Sequence, residues 1–412
     1  MGTTRSRTTT TRTTATTTIV LTEDELSPYV THAPTRRWLT GPGLPATPGD
    51  AGLLTFEALR TDGLRTVGDS TGDPEGRLAA ELRDRLVIGG LLGADGRETE
   101  SVLLDGMTGE ISTTYFLHDR PDLMDPRPLA PSLEKLVRFA TAVDELAALR
   151  GQFACYASRL GPKAVAEASQ QLLAVFEEGA RDTGGASGPF WKLAAVIRPL
   201  ALVAGPGTAS GLALDLPVRL LDEEFGAGGI VRFEDVDCPR ALTHAPTRRF
   251  LREVGLPEEV VWFSLETDMP LQTLAEYYAD DRAGDLTEEL LPANAGRLIR
   301  LGHLLEDTSL VVDGATGAVL SWSEPDLGLR PLNADISTLA FTLWLIRRER
   351  ALDAVHRLTD AYDQLAETMS RTLAAVDPVA CDPTPVPSVP TDDGERYWPG
   401  VFEDEAGGGL YA

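Results

Sequence analysis

A chain that carries the same nonapeptide twice has committed to building the same unit twice. Thr31-His-Ala-Pro-Thr-Arg-Arg-Trp-Leu39 returns as Thr243-His-Ala-Pro-Thr-Arg-Arg-Phe-Leu251, with eight of nine residues alike. The turn Asp105-Gly-Met-Thr-Gly109 likewise returns as Asp313-Gly-Ala-Thr-Gly317. The copies stand 212 residues apart at the nonapeptide and 208 at the turn, so their internal lengths differ by four. Two separated matches in the same order mark a duplicated domain. At 412 residues the chain is long enough for each copy to bury its own core.

Within each copy the pattern predicts helix, antiparallel strands, then helices, an α+β arrangement. The first copy is placed at residues 21–204, a Gly/Pro linker at 205–213, and the second copy at 214–377. In the second copy, Pro246 to Val254 reads as a helix, with Gly255 at its stop and Pro257 beyond. In the first copy, Thr31 offers a capping oxygen ahead of Pro34. Strands are expected at Leu86–Leu92, Ser101–Leu104 and Glu110–Phe116, and in the second copy at Val260–Leu265, Arg297–Leu301, Ser309–Val312 and Ala318–Ser323. The Asp-Gly turns close a hairpin in each copy.

Helical spacing follows from Leu133, again over Lys163–Glu178, and over Ala334–Arg347 with breaks to Ala375. In the last of these Ile336, Leu339, Ala340, Leu343 and Trp344 form one apolar face. Trp191 to Ala204 reads as a helix packed on the first copy. Residues 1–18 hold eleven Thr and three Arg and cannot bury a core. Residues 382–412 combine spaced prolines, seven acids against one Arg and a Gly triplet, and read as a second solvated tail.

Chemistry is sparse. His32 and His244 stand beside Arg36-Arg37 and Arg248-Arg249, and with Asp105 and Asp313 they could supply a base, its orienter and an anion clamp. The competing reading is structural: the His sits at a helix start, and an Asp-Gly turn uses its Asp to bond its own backbone. No nucleophile elbow, phosphate loop or HExxH pattern is present, so no catalytic residue is assigned. Cys155, Cys238 and Cys381 are far apart, and His118, His303 and His356 lack ligand spacing, so neither metal nor cofactor is assigned.

The net charge of −26 argues against nucleic-acid or anionic-membrane partners and fits a basic protein partner. Candidate contact residues are Asp222, Glu223, Glu224, Tyr277, Tyr278, Asp280 and Asp281, carboxylates set near aromatics. Asp235 with Asp237 is a further acidic pair. The longest apolar stretch, Leu193 to Leu216, is broken by Arg198, prolines and glycines, and the reading is of a cytoplasmic protein.

The stretch from Thr243 to Pro257 resembles the SUKH superfamily, in particular its fourth immunity subfamily from actinobacteria. The source fits a chain with only three Lys among 37 basic residues, a bias of GC-rich coding. Arg297-Leu-Ile-Arg-Leu-Gly302, Leu310 to Val319 and Pro331-Leu-Asn-Ala-Asp335 agree with that family. The motif positions are Thr243, His244, Pro246, Arg248, Arg249, Asp313, Gly314, Gly317, Asn333 and Asp335. The first copy departs from them at Ala130, which stands where the second has Asn333.

The resemblance implies two tandem domains, each an antiparallel sheet flanked by helices. It also implies a non-enzymatic immunity protein that neutralises a polymorphic toxin, of nuclease or deaminase type, by direct binding. The alternative is a cytosolic scaffold or regulator that recruits a partner through its tails.

Overall fold

A computed structural model describes residues 18–72, 76–181, 188–279, 290–304, 308–381 and 397–410. The expected N-terminal tail lies almost wholly outside them. The chain divides into two compact units, Met1–Leu92 with Gly96–Asp144, and Gly93–Asp95 with Glu145–Ala412.

Both units run through the same series. In the first, strand Thr18–Ile19 pairs with Leu44–Pro45 around helix Ala33–Leu39. A six-stranded antiparallel sheet follows, in the order Leu54–Thr55, Leu86–Leu92, Glu98–Leu104, Ile111–Thr114, Arg127–Ala130, with Arg65–Thr66 also paired to Leu86–Leu92. In the second, Ile230–Val231 pairs with Leu256–Pro257 around helix Ala245–Glu253. Its seven-stranded antiparallel sheet runs Glu259–Val260, Phe263–Leu265, Leu298–Leu304, Thr308–Asp313, Val319–Ser323, Gly328–Asn333, with Gln272–Thr273 beside Leu298–Leu304. The α+β reading and its duplication hold.

A bulge is duplicated too. The register shifts between Val87 and Gly89 in one sheet and between Arg300 and Gly302 in the other. A Cβ on Gly89 would lie 2.0 Å from the Thr55 carbonyl oxygen, and one on Gly302 2.0 Å from that of Ser264. Close backbone approach at a bulge admits only glycine.

Several expectations are corrected. Val260–Leu265 is a tight hairpin, with Val260 paired to Phe263, rather than one strand. Helix Ile336–His356 is buried on every side from Ile336 to Ile346, including Ser337, Thr338 and Thr342, rather than along one face. It packs against strand Gly328–Asn333 and helices Leu220–Phe225 and Ala245–Glu253, so no side of that segment reaches water.

Residues 145–204 belong to the second unit and not the first. Within it, helix Pro189–Ile197 and the 3-10 turn Arg198–Val203 pack on helix Tyr362–Val376, and Leu193, Ile197, Leu200 and Val203 join its main core. The expected linker is a small hairpin, Gly205–Pro206 paired with Leu214–Asp215, because the Asp335 carboxylate and the Ser337 hydroxyl accept from the N–H groups of Ala213 and Leu214.

The expected C-terminal tail is corrected in part. Helix Tyr397–Glu403 buries Trp398 and Phe402 completely, and Leu410 as well. Three large apolar side chains supply what the surrounding prolines and acids lack.

Candidate functional site

The repeated nonapeptide and the repeated turn prove to be two halves of one latch. His244 occupies the N-cap position of helix Ala245–Glu253, and His32 that of Ala33–Leu39, one residue later than the Thr expected to cap. The Gly314 carbonyl accepts from the N–H groups of Thr243 at 2.7 Å and His244 at 2.8 Å, and Gly106 does the same for Thr31 and His32. Each His Nδ1 bonds a Thr hydroxyl in the first turn, Thr247 at 2.8 Å and Thr35 at 2.9 Å.

The aspartates organise the turn. One oxygen of Asp313 accepts from the backbone N–H groups of Ala315 at 2.9 Å and Thr316 at 3.1 Å, and the other from Arg297 at 2.7 Å. Burial pushes the Asp313 carboxyl up, but those donors and the guanidinium outweigh it and hold the carboxyl below its ordinary value. Asp105 repeats the pattern with Met107 and Thr108.

In the second copy each side chain of the imagined His-Asp-Arg set thus has a structural task. Arg248 reaches the Leu242 carbonyl at 3.4 Å and Asp235 at 3.2 Å, and Arg249 bonds the Ser210 carbonyl. Pro246 lies in the first turn of the helix.

This latch carries a prediction. Gly317 has φ +80, and a Cβ there would stand 2.3 Å from His244 Nδ1. Gly317→Ala should cost about 2 kcal/mol, from left-handed strain plus the clash. In a His244→Ala background the imidazole clash is gone and the penalty should fall to about 1 kcal/mol, the strain plus a milder approach to Thr247 Oγ1 at 2.9 Å. Additive penalties in denaturant unfolding would refute the latch.

Asn333 and Asp335, the two remaining motif residues, bind the second unit together. Asp335 caps helix Ile336–His356, accepting from Ser337 N–H at 2.8 Å and Thr338 N–H at 3.3 Å. Asn333, fully buried, donates to Thr342 at 3.1 Å and Asp377 at 3.0 Å and accepts from Trp398 Nε1 at 3.0 Å.

The acidic candidates are less free than the sequence suggests. Asp222 holds Arg232 through both oxygens, at 2.7 and 2.9 Å, and Glu224 lies 3.9 Å from Arg348, while Glu223 is exposed. Tyr277 is half-buried and lies under the Arg300 guanidinium at 4.0 Å. Tyr278 is buried, which corrects its reading as an exposed anchor. Its hydroxyl donates to Glu324 at 2.6 Å and accepts from Trp322 Nε1 at 3.2 Å, because helix Leu274–Ala279 closes a second small core with Leu298, Val311 and Trp322. Burial and Glu324 push the Tyr278 hydroxyl well above its ordinary value. Asp280 and Asp281 lie outside the described residues.

Among the described residues no group of His, Cys, Asp and Glu is arranged to hold a metal ion. No helix among them is long and apolar enough to cross a membrane. The second unit contains a cavity of about 460 Å³ bordered by Trp262 and Arg350, which sequence reasoning missed because its walls come from separate elements.

Comparison with known proteins gives one match. The family described as SUKH-4 immunity protein matches residues 11–180 and again residues 216–404. No curated protein and no solved structure matches the chain.

Proposed function

Since the chain belongs to the SUKH-4 immunity protein family in two tandem copies, we propose that it neutralises a protein toxin by binding it directly. The observation that carries this reading is that family's match to both copies. The net charge of −26 supports a basic toxin, of the kind that handles nucleic acid as a nuclease or deaminase. Mimicry of the substrate's negative charge then needs no reaction on the immunity protein itself.

The contact surface is proposed on the second copy, around exposed Glu223 with Asp222 and Glu224, and around Tyr277 with Asp280 and Asp281. Tyr278 supports Tyr277 edge-on, their rings 5.3 Å apart.

The test is calorimetric titration of the whole chain against the catalytic domain of the toxin encoded beside it, with toxin activity followed in parallel. A one-to-one complex that silences the toxin is expected, with association slowed several-fold by Glu223→Lys. Absence of both binding and protection would sink the proposal.

A further inference from the structure

We propose that the cavity in the second unit is a binding site for a small carboxylate carried on an apolar body. Its apolar lining comes from Phe225, Val260, Val261, Leu343 and Ile346. At about 460 Å³ it falls in the size range of small-ligand pockets, and it is a recess, unlike the broad surface that a protein partner buries.

The polar groups around it are unbalanced. Arg347 and Arg350 bring two guanidinium groups, against the single carboxylate of Glu259. Trp262 is 5% exposed, and its Nε1–H has no hydrogen-bond partner among the described residues. Arg350 Nε is in the same condition. Two buried donors and two cations with too few acceptors form a site that lacks an anion.

The charge balance of Arg350 agrees. Burial pulls its guanidinium below the ordinary value, Glu349 acts the other way, and Arg347 lowers it further. A bound carboxylate would relieve both unfavourable influences, and a planar guanidinium matches it with two parallel hydrogen bonds. The apolar walls would hold the body of the ligand. This inference concerns a ligand other than the toxin and does not depend on the toxin reading.

The experiment uses the full chain and three ten-carbon probes below their micelle concentrations: decanoate, decanol and decylamine. Calorimetry should show saturable one-to-one binding of decanoate with a raised melting temperature, and much weaker effects from the alcohol and the amine. Arg347→Ala, at an exposed position, should weaken decanoate binding about tenfold. Trp262→Phe removes the orphan donor together with part of the ring volume. It should weaken decanoate binding several-fold and decanol binding little, because only the carboxylate uses the indole N–H.

Equal binding of all three probes would overturn the proposal, as would full decanoate affinity in both variants, or no saturable binding at all. Equal weakening of decanoate and decanol by Trp262→Phe would also overturn it, since that outcome assigns the loss to the missing ring volume and not to the indole N–H.

Discussion

Replacing Trp398 by Ala is expected to lower the stability of the second unit by about 3–5 kcal/mol. The side chain is fully buried, in a segment whose composition predicts solvated coil. Its removal leaves a cavity and strips the acceptor Asn333 Oδ1 of its donor at 3.0 Å. Asn333 also donates to Thr342 and Asp377, so the disturbance reaches the strand Gly328–Asn333, the helix Ile336–His356 and the end of helix Tyr362–Val376 at once.

Trp398→Phe retains much of the volume but loses the hydrogen bond and part of the ring, so an intermediate loss of about 2 kcal/mol is expected. Urea unfolding read by circular dichroism measures both variants. A Trp398→Ala chain as stable as wild type would show that helix Tyr397–Glu403 is an ornament on the fold. The first copy has Ala130 in place of Asn333 and cannot form the same node.

The second large effect is a dependence on pH. Glu349 is fully buried on helix Ile336–His356, and neither carboxyl oxygen has a hydrogen-bond partner among the described residues. Burial, then the Asp353 carboxylate, push its carboxyl up from 4.5 to about 8 against the pull of Arg350. Below about pH 4.5 both folded and unfolded chains carry the proton, and this residue takes nothing from stability. As pH rises toward 8 the unfolded chain releases the proton while the folded chain retains it, and stability falls through that window. Above about pH 8 the loss is complete and the curve levels off.

The size of the loss is on the order of 5 kcal/mol. Glu349→Gln removes the titration, so its stability relative to wild type should grow from pH 5 to pH 8 and then stay constant. Parallel stability–pH curves for the two proteins would show that Glu349 has no such role.

Much of the architecture was legible in the sequence, and the reasons for the exceptions are physical. The Asp-Gly turns announce their hairpins because the turn needs those residues for its own backbone. The hairpin within residues 259–265 carries no such signal, since its tip is Val261 and Trp262, and it reads as one strand. Helix Tyr397–Glu403 is hidden by its neighbours in sequence, because composition averages Trp398 and Phe402 with the prolines and acids around them. The two-residue edge strands Glu259–Val260 and Gln272–Thr273 are too short to show any period.

The candidate contact residues show a different limit. Sequence places Asp222 beside Glu223 and Glu224, but Arg232 and Arg348 reach them only in the fold. Tyr277 and Tyr278 are adjacent, yet one faces Arg300 and the other is sealed beneath Trp322. Neighbours in sequence point to opposite sides of a boundary that only packing draws. The cavity beside Trp262 was invisible for the same reason, since Phe225, Val260 and Leu343 share no motif.

The boundary between the compact units falls after Asp144, well before the second copy begins. The stretch of ancestry and the stretch of chain that folds together are therefore different lengths. A recombination event joining a foreign partner at residue 204 would inherit the second sheet but leave behind Leu193, Ile197, Leu200 and Val203, which help to close its core. A junction after Asp144, some sixty residues upstream and inside the first repeat, would keep those residues with the core they close.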